Sequence, residues 1–440
     1  MRNLLSSAAF WLLLTVSFIL PSAPLPAISP AFQDNTTSTG QIAYIGLDRN
    51  IYVYSTEDQR STAVTDDATS NRRYLYPTWS TDGRLAFFCC DPAAQQPVLE
   101  AYVLHTPDAT PRMIYQADGE GFTYANWSPV DNCISGPACR QLGVLIAQTT
   151  EAGFKVELIE DSPENTETSL HTSIGTGAPF YFSWNPDGSQ MVWHRNNDQI
   201  DVYHVEKQSI VDSLKISAGG FAAPMWSPVN DQILIANGSP DASTLNLITL
   251  QQFRPTVLAE DPALFTAFNW SPDGQMIAYR TLQSDVYSGV NVIDAASGES
   301  INRTRDHAIA FFWSPDSTKI AYISLIELSQ SQSAARDFNR HVSQLNQQGS
   351  GYALAWTVFS IADGSIEYFD PFIPTSEMVY ILSYFDQFAQ SHRLWSPDSR
   401  YLVYSEVIEQ SSAQVTILDT EDPSALPFAV TEGTLGIWSY

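Results

Sequence analysis

Residues 269–280 read Asn-Trp-Ser-Pro-Asp-Gly-Gln-Met-Ile-Ala-Tyr-Arg, a strand ending at Trp270, a tight turn, and a return strand. The turn is Ser271-Pro272-Asp273-Gly274, and Met276-Ile277-Ala278-Tyr279 open the second strand. Proline presets φ at the first turn position, aspartate bonds the backbone ahead of it, and glycine takes positive φ. The tryptophan supplies one large apolar body per hairpin to pack on a neighbouring sheet. Trp270, Asp273 and Gly274 are therefore read as structural turn residues.

The same motif recurs at Trp79-Ser80, Trp127-Ser128, Trp184-Asn185, Trp226-Ser227, Trp313-Ser314, Trp395-Ser396 and Trp438-Ser439. Successive tryptophans lie 48, 57, 42, 44, 43, 82 and 43 residues apart. A period in the low forties is that of a propeller blade of four strands. Each unit carries the remaining strands, as at residues 276–280 and 289–294, 232–236 and 244–250, and 190–194 and 199–205.

The two ends of the chain complement each other. Residues 41–45 and 50–54 read as second and third strands with no tryptophan strand before them, and residues 433–440 as a tryptophan strand with nothing after it. Pairing them closes a ring and removes exposed sheet edges. The expectation is an all-β protein: a single eight-bladed β-propeller over residues 41–440, in four-stranded antiparallel blades, with seven blades as the alternative.

The Trp-Ser-Pro-Asp-Gly turn followed by an Ile-Ala-Tyr strand resembles the repeats of TolB-like, or WD40-like, propellers. The resemblance covers nearly all of residues 41–440. It implies an extracytoplasmic, propeller-borne interaction module, although residues 1–40 leave no room for the separate N-terminal domain that TolB carries. The same repeat occurs in the propellers of prolyl oligopeptidases, but the α/β-hydrolase domain and its G-x-S-x-G elbow are missing here.

Forty-eight acidic against 21 basic residues, a formal net charge of −27, argue against nucleic acid or an anionic membrane surface as partner. Arg2, an apolar run over residues 4–20 and the small-x-small site Ser29-Pro30-Ala31 form a secretory signal pattern over residues 1–31. Residues 32–40 read as a flexible lead-in, and no stable membrane span is expected after cleavage. The localisation expected is periplasmic or secreted, with an uncleaved N-terminal anchor as the alternative, and the expected state is a monomer.

Of the four cysteines, Cys133 and Cys139 flank one enlarged turn, whereas Cys89 and Cys90 end a strand near the opposite face. Disulfide partners need Cα atoms within about 7 Å, which favours the local Cys133–Cys139 bridge. Their spacing does not suit zinc, and no cofactor motif is present.

The 82-residue interval holds two extra pieces. Residues 327–351 are Ser/Gln-rich, with Phe338, Val342 and Leu345 at helical spacing. In residues 371–390, Ser376 is the expected cap of a helix whose Met378, Leu382 and Phe385 share a face. By blade topology both pieces are expected to project from one face. Tyr384, Asp386, His392 and Arg393 are the ligand- or partner-binding candidates beside them. An equally local reading of Asp386, His392 and Arg393, and the preferred one, is a helix cap with strand-entry hydrogen bonds. The repeated turn aspartates are structural, and His194 and His204 read as strand residues. No catalytic residue is assigned. The functional expectation is a non-catalytic binding module for a protein or cell-envelope polymer; the alternative is a channel-sited glycan lyase or hydrolase, which needs convergent carboxylates.

Overall fold

The computed structural model describes residues 40–440 apart from 91–96, 134–138, 149–152, 163–168, 176–178, 197, 217–221, 240–241, 262, 328–351 and 410–411. The signal segment and the 327–351 insertion, including Phe338, Val342 and Leu345, lie outside them except for Glu327. The chain forms two compact units. One, Met1–Thr36 with Glu327–Tyr352, falls almost wholly outside the described residues. The other, Thr37–Ile326 with Ala353–Tyr440, holds the propeller.

Eight antiparallel sheets form the blades. Blade 1 is the shared one: Leu435–Trp438 pairs with Gln41–Ile45, which continues through Ile51–Ser55 to Arg60–Ala63. Ile42 lies opposite Trp438 and Ile45 opposite Leu435, so the ring closes as the sequence requires. Gly436 makes this possible, because a Cβ there would meet Val415 Cγ1 at 2.5 Å. Blades 2 to 7 follow in chain order, their inner strands ending at Trp79, Trp127, Trp184, Trp226, Trp270 and Trp313.

Blade 8 departs from the four-strand expectation. Tyr401–Glu409, Ser412–Asp419 and Phe428–Glu432 form three strands, and the inner strand shrinks to a bridge between Trp395 and Leu402. The chain reaches this blade from the axis, not over the rim, which leaves too little length for a full inner strand.

The turn works as its residues dictate. Ser271 Oγ donates to Asp273 Oδ1 at 2.5 Å, Asp273 Oδ1 accepts from Gln275 N at 3.0 Å, and Gly274 has φ +69°. Ser317 and Ser399 take the glycine position in two blades and keep its left-handed geometry, at φ +63° and +62°. Each offsets the strain with a bond to the preceding blade: Ser317 Oγ accepts from Asp273 N at 3.1 Å and Ser399 Oγ from Asp316 N at 3.0 Å.

The tryptophans are more than apolar filling. Trp127, Trp184, Trp270, Trp313 and Trp395 each donate the indole N–H to the residue before the previous blade's tryptophan: Thr78, Asn126, Met225, Asn269 and Phe312, at 3.0–3.4 Å. One side chain thus joins neighbouring blades by both burial and a directed bond.

Both disulfides are local. Cys133 and Cys139 are joined, with Cα atoms 5.4 Å apart, and Cys89 and Cys90 are joined to each other, a pairing between adjacent residues that the sequence argument did not consider.

Candidate functional site: the axial plug and funnel

Residues 371–393 do not project from a face. After the last strand of blade 7, Ile366–Phe372, the chain turns inward and fills the axis with α1 (Ser376–Ser383) and α2 (Phe385–Phe388). Thr375, not Ser376, caps α1: its backbone is extended and its Oγ1 accepts from Met378 N at 3.2 Å, while Ser376 is already helical. Met378, Leu382 and Phe385 share a face as expected, and they pack in one core cluster with Phe311, Phe312 and Trp395. Ile381 and Phe388 join a second cluster with Trp79, Tyr124 and Phe182. A helix apolar on both sides needs burial all round, and the axis of a closed ring supplies it.

Polar groups lock the plug in register. Gln387 acts as a strand partner, its Oε1 accepting from Phe182 N at 2.8 Å and its Nε2 donating to Phe182 O at 2.9 Å. Tyr380 Oη donates to Thr123 O at 3.2 Å, and Glu377 pairs with Arg49.

The four candidate residues do not converge. Asp386 is buried and accepts from Ala223 N at 3.0 Å. Burial pushes its pKa up to about 6 against the opposing pull of the Ala223 N–H and the Arg280 guanidinium. Arg280 is itself buried, over the Tyr287 and Phe385 rings at 4.0 and 4.7 Å, and donates to Ala308 O at 3.2 Å. Tyr384 separates α1 from α2 and packs on Tyr380, ring centroids 5.2 Å apart. His392 is fully buried, bonded to Ser391 Oγ at 2.8 Å and held neutral, its pKa pushed down to about 3 by burial. Asp386 thus bonds to backbone as the local reading expects, and His392 packs within the plug. Likewise His194 bonds Ala222 O at 2.9 Å inside blade 4.

Below the last turn of the plug, on the face of the Trp-Ser turns, the axis opens into a funnel of about 330 Å³. Residues from all eight blades line it. Its wall is the tryptophan belt with Pro129, Pro186, Pro228, Pro272 and Pro315, and its floor includes Gln390, His392, Arg393 and Tyr440. Arg393 stacks on Tyr440, guanidinium to ring centroid 3.7 Å. Among the described residues no aspartate or glutamate lines the funnel. Gln390 and Tyr440 escaped sequence reasoning because neither belongs to a motif.

A denser charged cluster lies at the seam of blades 2 and 3. Asp161, fully buried, meets Arg84 Nη1 at 3.1 Å, His105 Nε2 at 3.2 Å, and Arg112. Arg84 also meets Asp82, and Arg140 meets Asp131. No sequence signal announces this network, since its members are up to 79 residues apart in the chain (Asp82 to Asp161).

No protein-family model and no curated protein matches the chain. Solved structures do. A eukaryotic initiation factor aligns over 92% of this chain and 98% of its own with a TM-score of 0.51 at 10% identity. The hydrazine synthase of Kuenenia stuttgartiensis aligns over 64% and 74%, with a TM-score of 0.42 at 14% identity. The Dos1 propeller aligns over 63% and 72%, with a TM-score of 0.44 at 12% identity. At such identities the likeness to the initiation factor speaks for the propeller fold alone. Propellers commonly present surfaces for protein binding.

Proposed function

We propose that this protein is a non-catalytic, extracytoplasmic binding scaffold of the TolB-like kind, engaging a protein or cell-envelope polymer. The observation that carries the reading is the filled axis: Gln387, Tyr380 and Asp386 bond the plug to the ring's backbone, and among the described residues no pair of carboxylates lines the funnel. The channel-sited glycan enzyme has nothing there to act as its acid and base. The working surface is then the outside of the ring, and residues 328–351, which in the sequence lie between the second and third strands of blade 7, are the segment taken to meet the partner.

Location follows from chemistry. Two disulfides suit an oxidising compartment, and the apolar run after Arg2 reads as an export signal. No helix among the described residues is long and apolar enough to cross a membrane. The acidic surface keeps the scaffold soluble and away from nucleic acid.

The test is affinity capture from envelope extracts with the full chain and with a variant lacking residues 328–351. A defined partner captured by the first and lost from the second is the expected result. Identical captures from both, or none from either, overturn the reading.

A further inference from the structure

The funnel on the Trp-Ser face is built for something, and its chemistry is one-sided. Arg393 is half-buried at its floor and makes no ion pair among the described residues; burial lowers its pKa and Tyr440 alone pulls it back. Acidic residues outnumber basic ones 48 to 21; of the other buried arginines, Arg84 and Arg140 have carboxylate partners, and Arg280 is sandwiched on the Tyr287 and Phe385 rings and bonded to Ala308 O. A desolvated cation without a counter-ion is costly.

Several residues of the lining carry buried donors. Gln390 Nε2, His392 Nε2, Trp79 Nε1 and Trp226 Nε1 have no hydrogen-bond partner among the described residues. His392 Nδ1 faces the Ser391 hydroxyl; as the acceptor of that bond it leaves Nε2 as the N–H of the neutral ring. Tyr440 stacks on one face of the Arg393 guanidinium and also hydrogen-bonds it, which leaves the other in-plane N–H groups of its planar fork for a ligand. Such a fork matches the two oxygens of a carboxylate. The walls above it are proline and tryptophan, and the volume falls within the range of small-molecule pockets, roughly 300–1,000 Å³.

We propose that the funnel binds a small carboxylate with an apolar body, the carboxylate on Arg393 and the body against the proline and tryptophan wall. One guanidinium balances one negative charge, so a phosphate dianion is matched less well. The acidic exterior, with Asp82, Asp187, Asp273, Asp316 and Asp398 on the surrounding turns, repels free anions. Affinity therefore depends on the apolar body, and acetate alone is too small to bind. This site stands apart from the scaffold reading and survives its failure, because it is lined by the Trp-Ser turns of the ring itself and needs no partner protein.

Isothermal titration of the full chain with 3-phenylpropionate, and with its uncharged amide, tests it. The acid is expected to bind at one site per chain, at least tenfold more tightly than the amide. Arg393→Gln is expected to bring the acid down to the level of the amide. Because that substitution sits beside the plug, Pro272→Glu is the second variant: it adds a negative charge to the exposed wall that both ligands contact, and is expected to weaken the acid at least tenfold more than it weakens the amide. Equal affinity for acid and amide, no binding of either at millimolar concentration, or acid binding unchanged in both variants overturns the proposal.

Discussion

Asp161 and Asp386 are both buried aspartates of the same ring, yet their surroundings drive them in opposite directions. At the blade 2–3 seam burial raises the Asp161 carboxyl, but His105, Arg84 and Arg112 outweigh it and hold its pKa below the usual carboxylate range. On the axis burial meets the backbone N–H groups of Ala223, Gln387 and Asp386 itself and the Arg280 guanidinium, with no ion pair to Asp386 among the described residues, and Asp386 rises to about 6. Burial sets the cost of the charge; partners within bonding distance decide whether the charge persists. The seam is a place where charges join blades. The axis is an apolar core in which charge is suppressed, and its funnel end is the exception because it is open.

The comparison can be broken most decisively at the seam. Asp161→Ala removes the buried carboxylate shared by Arg84, Arg112 and His105 and is expected to cost about 3 kcal/mol, read as a lower denaturant midpoint at pH 7. Asp161 has a depressed pKa, so its contribution is present above the unfolded-state value and disappears as pH falls. The penalty of the substitution should shrink in acid. A loss well below that figure at pH 7, or one that does not change with pH, would mean that the network is ornamental.

Asp386 should show the opposite sign. Its native pKa lies above the unfolded value of 3.8, so its protonated form favours folding below that value and the advantage disappears as pH rises through about 6. Asp386→Asn, which mimics the protonated state, is expected to stabilise the protein by up to about 3 kcal/mol at pH 8 and to do nothing at pH 4. Thermal melts at the two pH values check this, and destabilisation at pH 8 would show that the ionised carboxylate holds the plug.

The smallest effect is expected at Arg280. Arg280→Met removes a cation that among the described residues donates to Ala308 O and packs on two rings that methionine can still fill, so the cost should be about 1 kcal/mol. The Asp386 carboxyl should titrate at higher pH once its nearest cation is gone, followed by NMR of the side-chain carboxyl. A loss as large as that of Asp161→Ala would make Arg280 and Asp386 a bonded pair and erase the contrast.

These two regions were unequally legible. The Asp161 network left no trace in the sequence, because partners on different blades share no spacing. The polar string around Asp386, His392 and Arg393 was visible, and the helical spacing of Met378, Leu382 and Phe385 was correct. What could not be read was where that helix goes. Periodicity reports which residues share a face, and Ile381 and Phe388 on the other side mattered only once a hole existed to receive them.

The sequence by itself determined the parts that repeat. Eight tryptophan turns, seven Trp-Ser and one Trp-Asn, count the blades, incomplete ends demand a shared blade 1, and the six-residue separation of Cys133 and Cys139 permits a local bridge. All of these are short-range or periodic, so residue order suffices. Tertiary structure alone decided the inward course of the plug, the indole bonds from blade to blade, the Cys89–Cys90 pairing and the unpaired Arg393 in its funnel. Each depends on closure, because only a finished ring creates an axis to fill, a neighbour to bond and an opening to leave.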